Sequence, residues 1–221
     1  MTKITLIIGL ILLSVVSFGK NYTNHIVYIR GGYSFPTWKP VGWNNKSDWE
    51  GGYDKYGITG EFGTIFMLPG ISPSRDVTFG IDADYLSATW HYFKNSVSAL
   101  DLHFLKLSSK IGPSVTFDVS DEMAIDLFAK ADIGWATGVA YIYDHLEDDD
   151  VFTNFVSVGF EAGFNVRIRE FMIGIEYNSI NPKLKNGENE EINTIYLGNR
   201  SSSTSDKTPI SSINFMLGII F

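Results

Sequence analysis

From about residue 25 onward, apolar and polar positions alternate with a period of two. Residues 154–168 show this most fully. Val156, Val158, Phe160, Ala162, Phe164, Val166 and Ile168 fall on one parity, against Phe155, Ser157, Gly159, Glu161, Gly163, Asn165 and Arg167 on the other. Successive side chains of a strand point to opposite faces, so this pattern predicts a strand with one apolar and one polar face. The same alternation runs through Val77–Tyr85, Leu105–Val119, Ile125–Tyr141, Phe171–Tyr177 and Ile213–Phe221, and more weakly through 26–35 and 56–68. Eight strands are expected, at about 25–35, 53–68, 76–92, 102–119, 123–143, 152–168, 171–180 and 211–221.

The joints between these segments alternate in length. Residues 69–75, 120–122 and 169–170 are short connections, whereas 36–52, 93–101, 144–151 and 181–210 are mostly longer. Antiparallel neighbours joined by hairpins carry the chain up and down in turn. All short turns therefore fall at one end of the sheet and all long ones at the other, the layout of an up-and-down barrel. Segment 181–210 contains an Asn186-Gly187 turn signal and a strand-like run at 192–198. It reads as a long loop with a hairpin extending beyond the sheet.

Two barrels fit eight alternating strands. A lipocalin-like carrier turns its apolar face inward and is soluble; a transmembrane barrel turns that face to lipid. Three features favour the second. Glycines, among them Gly63, Gly80, Gly112, Gly159, Gly163, Gly174 and Gly218, interrupt the polar face and suit a crowded lumen. The charges of that face can pair: Arg30, Lys106, Lys110, Lys130 and Arg167 stand against Glu61, Asp82, Asp84, Asp118, Asp126, Asp132, Glu161 and Glu176. Buried charges need such partners, so these thirteen residues are expected to form a lumenal ion-pair network. Aromatics gather near strand ends, at Tyr33, Phe35, Tyr53, Tyr56, Trp90, Tyr92, Phe93, Tyr141, Tyr143, Phe171 and Phe221, as membrane interfaces favour.

The first nineteen residues set the compartment. Lys3 precedes an apolar run from Ile4 to Phe18, ending in Ser17-Phe18-Gly19. The run is shorter than the ~20 residues of a spanning helix. It reads as a cleaved secretory signal, 1–19, before a barrel domain, 20–221; a retained anchor is the alternative. The chain has no cysteine, which excludes disulfides, thiolate metal sites and thioether-linked lipids. Its 17 basic and 25 acidic side chains give a net charge of −8, which argues against a nucleic-acid partner.

The signal segment, eight strands, alternating joints and terminal Phe221 together resemble the small outer-membrane β-barrel families, the OmpA transmembrane domain and the OmpX-like, porin-fold proteins. The resemblance covers nearly the whole mature chain. It implies an all-β, eight-stranded antiparallel up-and-down transmembrane β-barrel in the cell outer membrane, monomeric, surrounded by outer-membrane lipids and lipopolysaccharide. It also implies that Phe221 is presented to the barrel-assembly machinery. The end departs from the commonest pattern of those families, because Ile219 stands where an aromatic is usual.

Candidate chemistry is sparse. There is no phosphate-binding glycine loop, HExxH or GxSxG, and neither a cofactor nor a metal is expected. Pairing about residue 97 sets His91 beside His103 on the lipid-facing parity, with Asp101 diagonal and Ser87 four residues below. This arrangement is either a rim hydrolase acting on lipid A or polar side chains at headgroup level. Glu147, Asp148, Asp149 and Asp150 read as a solvated acidic tip. Trp38, Trp43 and Trp49 of the first long loop are candidates for ligand stacking or for packing on the rim. The expected function is a non-enzymatic structural or surface-binding role, in envelope integrity or adhesion, exercised through four outward loops.

Overall fold

The computed structural model describes residues 25–37, 53–74, 76–95, 100–142, 151–180, 183–184 and 210–221. The expected signal segment, Trp38, Trp43 and Trp49, and the acidic run 147–150 lie outside the described residues. The strands are β1 (His25–Pro36), β2 (Tyr53–Met67), β3 (Val77–Asn95), β4 (Leu100–Ser120), β5 (Met123–Ile142), β6 (Val151–Ile168), β7 (Phe171–Ile180), β8 (Lys183–Leu184) and β9 (Ile210–Ile220). Each long strand pairs antiparallel with its neighbours in the order β5-β4-β3-β2-β1-β9-β7-β6, and β6 pairs back onto β5. The eight long strands therefore close a ring. The two residues of β8 pair with Phe155 and Val156 of β6, beyond the end of β7.

Two features differ from the sequence expectation. The first is the joint expected at 93–101, which narrows to 96–99 because Lys94 pairs with Asp101 and Asn95 with Leu100. The second is a β-bulge in β3. Glu61 of β2 faces Ser87, Phe62 faces Leu86, and Gly63 faces Asp84, so Tyr85 is the extra residue. A bulge leaves one residue unpaired and displaces the ladder. Here it inverts the parity of everything beyond it. Asp82 and Asp84 point inward before the bulge; Ser87, Thr89, His91 and Phe93 are the buried positions after it, while Tyr85 and Leu86 are both exposed. Ser109 of β4 donates its hydroxyl to the Tyr85 carbonyl at 2.8 Å. That bond satisfies the backbone acceptor released by the bulge, which lipid could not do.

The faces are inside out relative to a soluble barrel. Large apolar side chains look outward around the whole ring, among them Ile111 (59% exposed), Ile133 (60%) and Leu217 (67%). Inward positions hold Arg30, Glu61, Lys110, Lys130 and Glu161, all at most 4% exposed. No helix among the described residues is long and apolar enough to cross a membrane; the crossing elements are strands. The last strand is held along both sides. Ile219 pairs with Ile29 of β1 and Phe171 of β7, and the Phe221 amide donates to the Val27 carbonyl at 2.9 Å.

Two inward glycines show why the lumen excludes larger residues. A Cβ on Gly63 would lie 2.6 Å from the Tyr28 hydroxyl, and one on Gly174 would lie 2.2 Å from Asn165 Oδ1. Both bare backbones make room for side chains of the polar network.

Candidate functional site

The lumen is layered along the barrel axis. At the short-turn end Ile65 and Met172 pack with Tyr28, backed by Ile26, Met67 and Ile220. Towards the long-joint end Phe104, Ala136, Ile180 and Ile210 form a second apolar cluster. Between them lies a charged belt drawn from seven of the eight long strands. Adjacent strands point alternate residues to a common axis, so an eight-stranded lumen brings them within bonding reach.

Arg30 of β1 is the hub. Its Nε donates to Glu61 Oε2 at 2.7 Å, and its Nη1 to Asn165 Oδ1 at 2.9 Å. Its Nη2 lies 2.5 Å from Glu61 Oε2 and 2.8 Å from Glu176 Oε2. Lys110 bridges Glu61 Oε1 and Glu161 Oε2. Lys130 reaches Asp84 Oδ2 at 2.7 Å and Asp82 Oδ2 at 3.1 Å. The Tyr28 hydroxyl touches Asp82 Oδ1 at 2.6 Å and also Asp84 Oδ1. Phe128 contacts both cations, with Arg30 5.3 Å from the Tyr28 ring and 5.4 Å from the Phe128 ring, and Lys130 4.4 Å from the Phe128 ring. An aromatic ring attracts a cation, so Phe128 supports the two buried positive charges.

Smaller groups flank the belt. Lys106 pairs with Asp132 at 2.6 Å, and Asn178 donates to the same Asp132 oxygen at 2.7 Å. Arg167 holds Asp126 through two bonds of 2.7 and 3.0 Å near the turn end. Twelve of the thirteen charged residues expected in the lumen thus make lumenal ion pairs. Asp118 does not: it is exposed at the turn end of β4, past the last inward layer. Glu61, Glu161 and Glu176 bring carboxylate oxygens within 4.8 Å of one another, a spacing that could hold a metal ion. Arg30 and Lys110 already supply the positive charge there.

The rim triad does not assemble. The bulge turns His91 and Ser87 into the lumen, while His103 stays on the outer face. His91 stacks on Phe104 at 6.0 Å; His103 stacks on Trp90 at 5.7 Å. Ser87 donates to Glu61 Oε1 at 3.1 Å and is committed to the ion-pair belt. His91 belongs to a different chain of bonds. Asn214 donates through Nδ2 to Glu176 Oε1 at 2.9 Å, leaving its Oδ1 to accept from Ser34 at 2.6 Å. Ser34 must then accept from His91 Nε2, 2.7 Å away. That direction makes His91 a donor to Ser34 and not a base for it. Phe93, expected at the aromatic rim, is likewise buried inside by the shifted parity. Of the expected rim, Tyr33, Phe35, Tyr56, Phe171 and Phe221 are exposed, and Trp90 and Tyr92 are half-buried.

An apolar exterior around an ion-paired interior is the arrangement of a barrel built for lipid. This is the fold of a small outer-membrane β-barrel. The chain is similar to Ail, the attachment invasion locus protein of Yersinia pestis, at 15% identity and a TM-score of 0.50, covering 90% of this chain and 100% of that one. Neisserial surface protein A matches at 10% identity and a TM-score of 0.41, covering 89% and 97%. At 15% identity the likeness to Ail is one of fold. No protein-family model matches the sequence, and no curated protein matches it. The outer-membrane barrel uses several lumenal residues that the charge pattern did not single out: Tyr28, Phe128, Asn165, Asn178 and Asn214. Their signal was parity: Tyr28, Phe128, Asn165 and Asn178 share the inward face of strands whose charges were already assigned there, and Asn214 lies on the polar parity of the uncharged β9.

Proposed function

We propose that this outer-membrane barrel has a structural and surface-binding role, with no enzymatic activity and no open channel. The observation that carries this reading is the filled lumen. Ion pairs occupy its centre and apolar clusters lie at both ends, so neither a solute path nor a reactive cavity is available inside. Contact with the surroundings then belongs to the outward end. There β3 to β6 hold 18–21 residues each, against the ~9–11 that cross a bilayer. On the outer face Tyr56, Trp90, Tyr92 and His103 form one cluster, with neighbouring ring centres 5.0–6.1 Å apart. Rings with one apolar and one polar edge suit the headgroup region, and lipopolysaccharide is the lipid this cluster would meet. Trp38, Trp43 and Trp49 of the first long joint belong to the same proposed binding end, and Phe221 remains the proposed contact for barrel assembly.

Replacing Trp38, Trp43 and Trp49 of the first long joint together by alanine tests the proposal. The variant barrel should keep its folded mobility in unheated detergent gels, while bacteria carrying it lose adhesion to matrix-coated surfaces. Unchanged adhesion with the fold retained would sink the surface-binding role. Conductance steps from the unmodified protein in planar bilayers would sink the sealed lumen.

A further inference from the structure

Charge does not balance in the belt. The pairs Lys106–Asp132 and Arg167–Asp126 are each neutral. What remains is Arg30, Lys110 and Lys130 against Glu61, Asp82, Asp84, Glu161 and Glu176, three cations facing five carboxylates. These eight side chains have essentially no exposure. An uncompensated charge held away from water is costly, and a buried acid avoids that cost by taking a proton.

The excess divides between two places. In the first, Asp82 and Asp84 of β3 converge on Tyr28 of β1 and Lys130 of β5. Two carboxylate oxygens contact the single Tyr28 hydroxyl oxygen. A phenol has one hydrogen to donate, so the second contact is a hydrogen bond only if one carboxyl donates to it. In the second, Glu161 of β6 faces Lys110 of β4, Lys130 of β5, Arg30 of β1, and the carboxylates Glu61 of β2 and Glu176 of β7; β9 contributes uncharged Asn214. Glu61 and Glu176 are each bound by Arg30. Glu161 Oε2 meets Lys110, but its Oε1 accepts no hydrogen bond and lies 3.5 Å from Lys130 and 3.8 Å from Arg30. It is the oxygen on which a proton fits.

We propose that the folded barrel retains two protons in its lumen, one on Asp84 at its contact with the Tyr28 hydroxyl and one on Glu161. They are taken from solvent as the chain folds, and they make the belt electrically neutral. The folded state then binds more protons than the unfolded chain, so stability falls as pH rises through the neutral range, until the retained protons are lost.

The test is proton uptake when the urea-unfolded full chain folds into detergent micelles at about pH 8, where histidine is already neutral in the unfolded state. Uptake of about two protons per chain is expected, with the unfolding equilibrium constant rising about 100-fold per pH unit. Asp84→Asn and Glu161→Gln should each remove about one proton and reduce that dependence to about tenfold. The infrared carbonyl stretch of a protonated carboxylic acid in the folded wild-type protein gives a reading that needs no variant to fold. Absence of that band and of uptake would overturn the proposal. So would stability that rises with sodium or potassium concentration without uptake, since a bound cation would then supply the missing charge.

Discussion

Among the described residues the barrel wall has two heights. β1, β7 and β9 contain 12, 10 and 11 residues, whereas β3, β4, β5 and β6 contain 19, 21, 20 and 18. A membrane strand needs about 9–11 residues. The short side therefore has the length that spanning requires, and the tall side has roughly twice that. The strands meet evenly at the turn end, where Ile168 pairs with Phe171 and Phe171 with Ile219, so the surplus all projects from the other end. Short periplasmic turns and long outward connections are the rule for such barrels, and on the proposed orientation the surplus is extracellular. Spanning and surface exposure are thus divided between two sides of one ring that share a single lumen.

Breaking the shared lumen should have the largest effect. Arg30 stands on the short side and binds Glu61 of β2, Asn165 of β6 and Glu176 of β7. Arg30→Ala takes from Glu61 and Glu176 the buried cation they share and should cost about 3–5 kcal/mol, read from urea unfolding in lipid vesicles. A difference between the two sides follows next. Leu217→Arg on the lipid face of β9 should cost about 2–4 kcal/mol, whereas Tyr92→Arg high on β3 should cost about 0–1 kcal/mol. Equal costs would mean that the tall side does not leave the bilayer.

The glycines sharpen the contrast between inside and outside. Gly63→Ala would drive a methyl group to 2.6 Å from the Tyr28 hydroxyl and the Ala83 carbonyl, and should cost about 1–3 kcal/mol. Gly31→Ala on the outer face meets nothing nearer than 3.5 Å and should stay within about 0.5 kcal/mol. A modest effect is expected at the bulge. Ser109→Ala removes the hydrogen bond to the Tyr85 carbonyl and should cost about 1 kcal/mol.

Much of this was readable from residue order because lipid imposes one rule on every strand. An apolar face must point outward and every inward charge must find a partner. That rule located eight strands and twelve paired charges. It failed where a single residue breaks the period. In Asp84-Tyr85-Leu86-Ser87 two large apolar residues stand side by side, and counting by twos through them put His91 and Phe93 on the wrong face. The adjacency was itself the sign of a bulge, and a hydroxyl across the ladder at Ser109 was the second sign. Asp118 failed for a different reason, since parity assigns a face but not a depth. Tyr28 and Phe128 were missed because an aromatic on an otherwise charged face was not weighed as a partner for cations and carboxyls.

The chain contains no cysteine, so single cysteines can report the two ends of the barrel without background. Lys94 is exposed near the top of β3, and Ser120 is exposed at the turn end of β4. The first experiment is labelling of Lys94→Cys and Ser120→Cys on intact cells with a membrane-impermeant maleimide. Labelling at 94 on intact cells, and at 120 only after the outer membrane is permeabilised, is the expected result. Labelling at 120 with protection at 94 would invert the barrel in the membrane and contradict an extracellular tall wall.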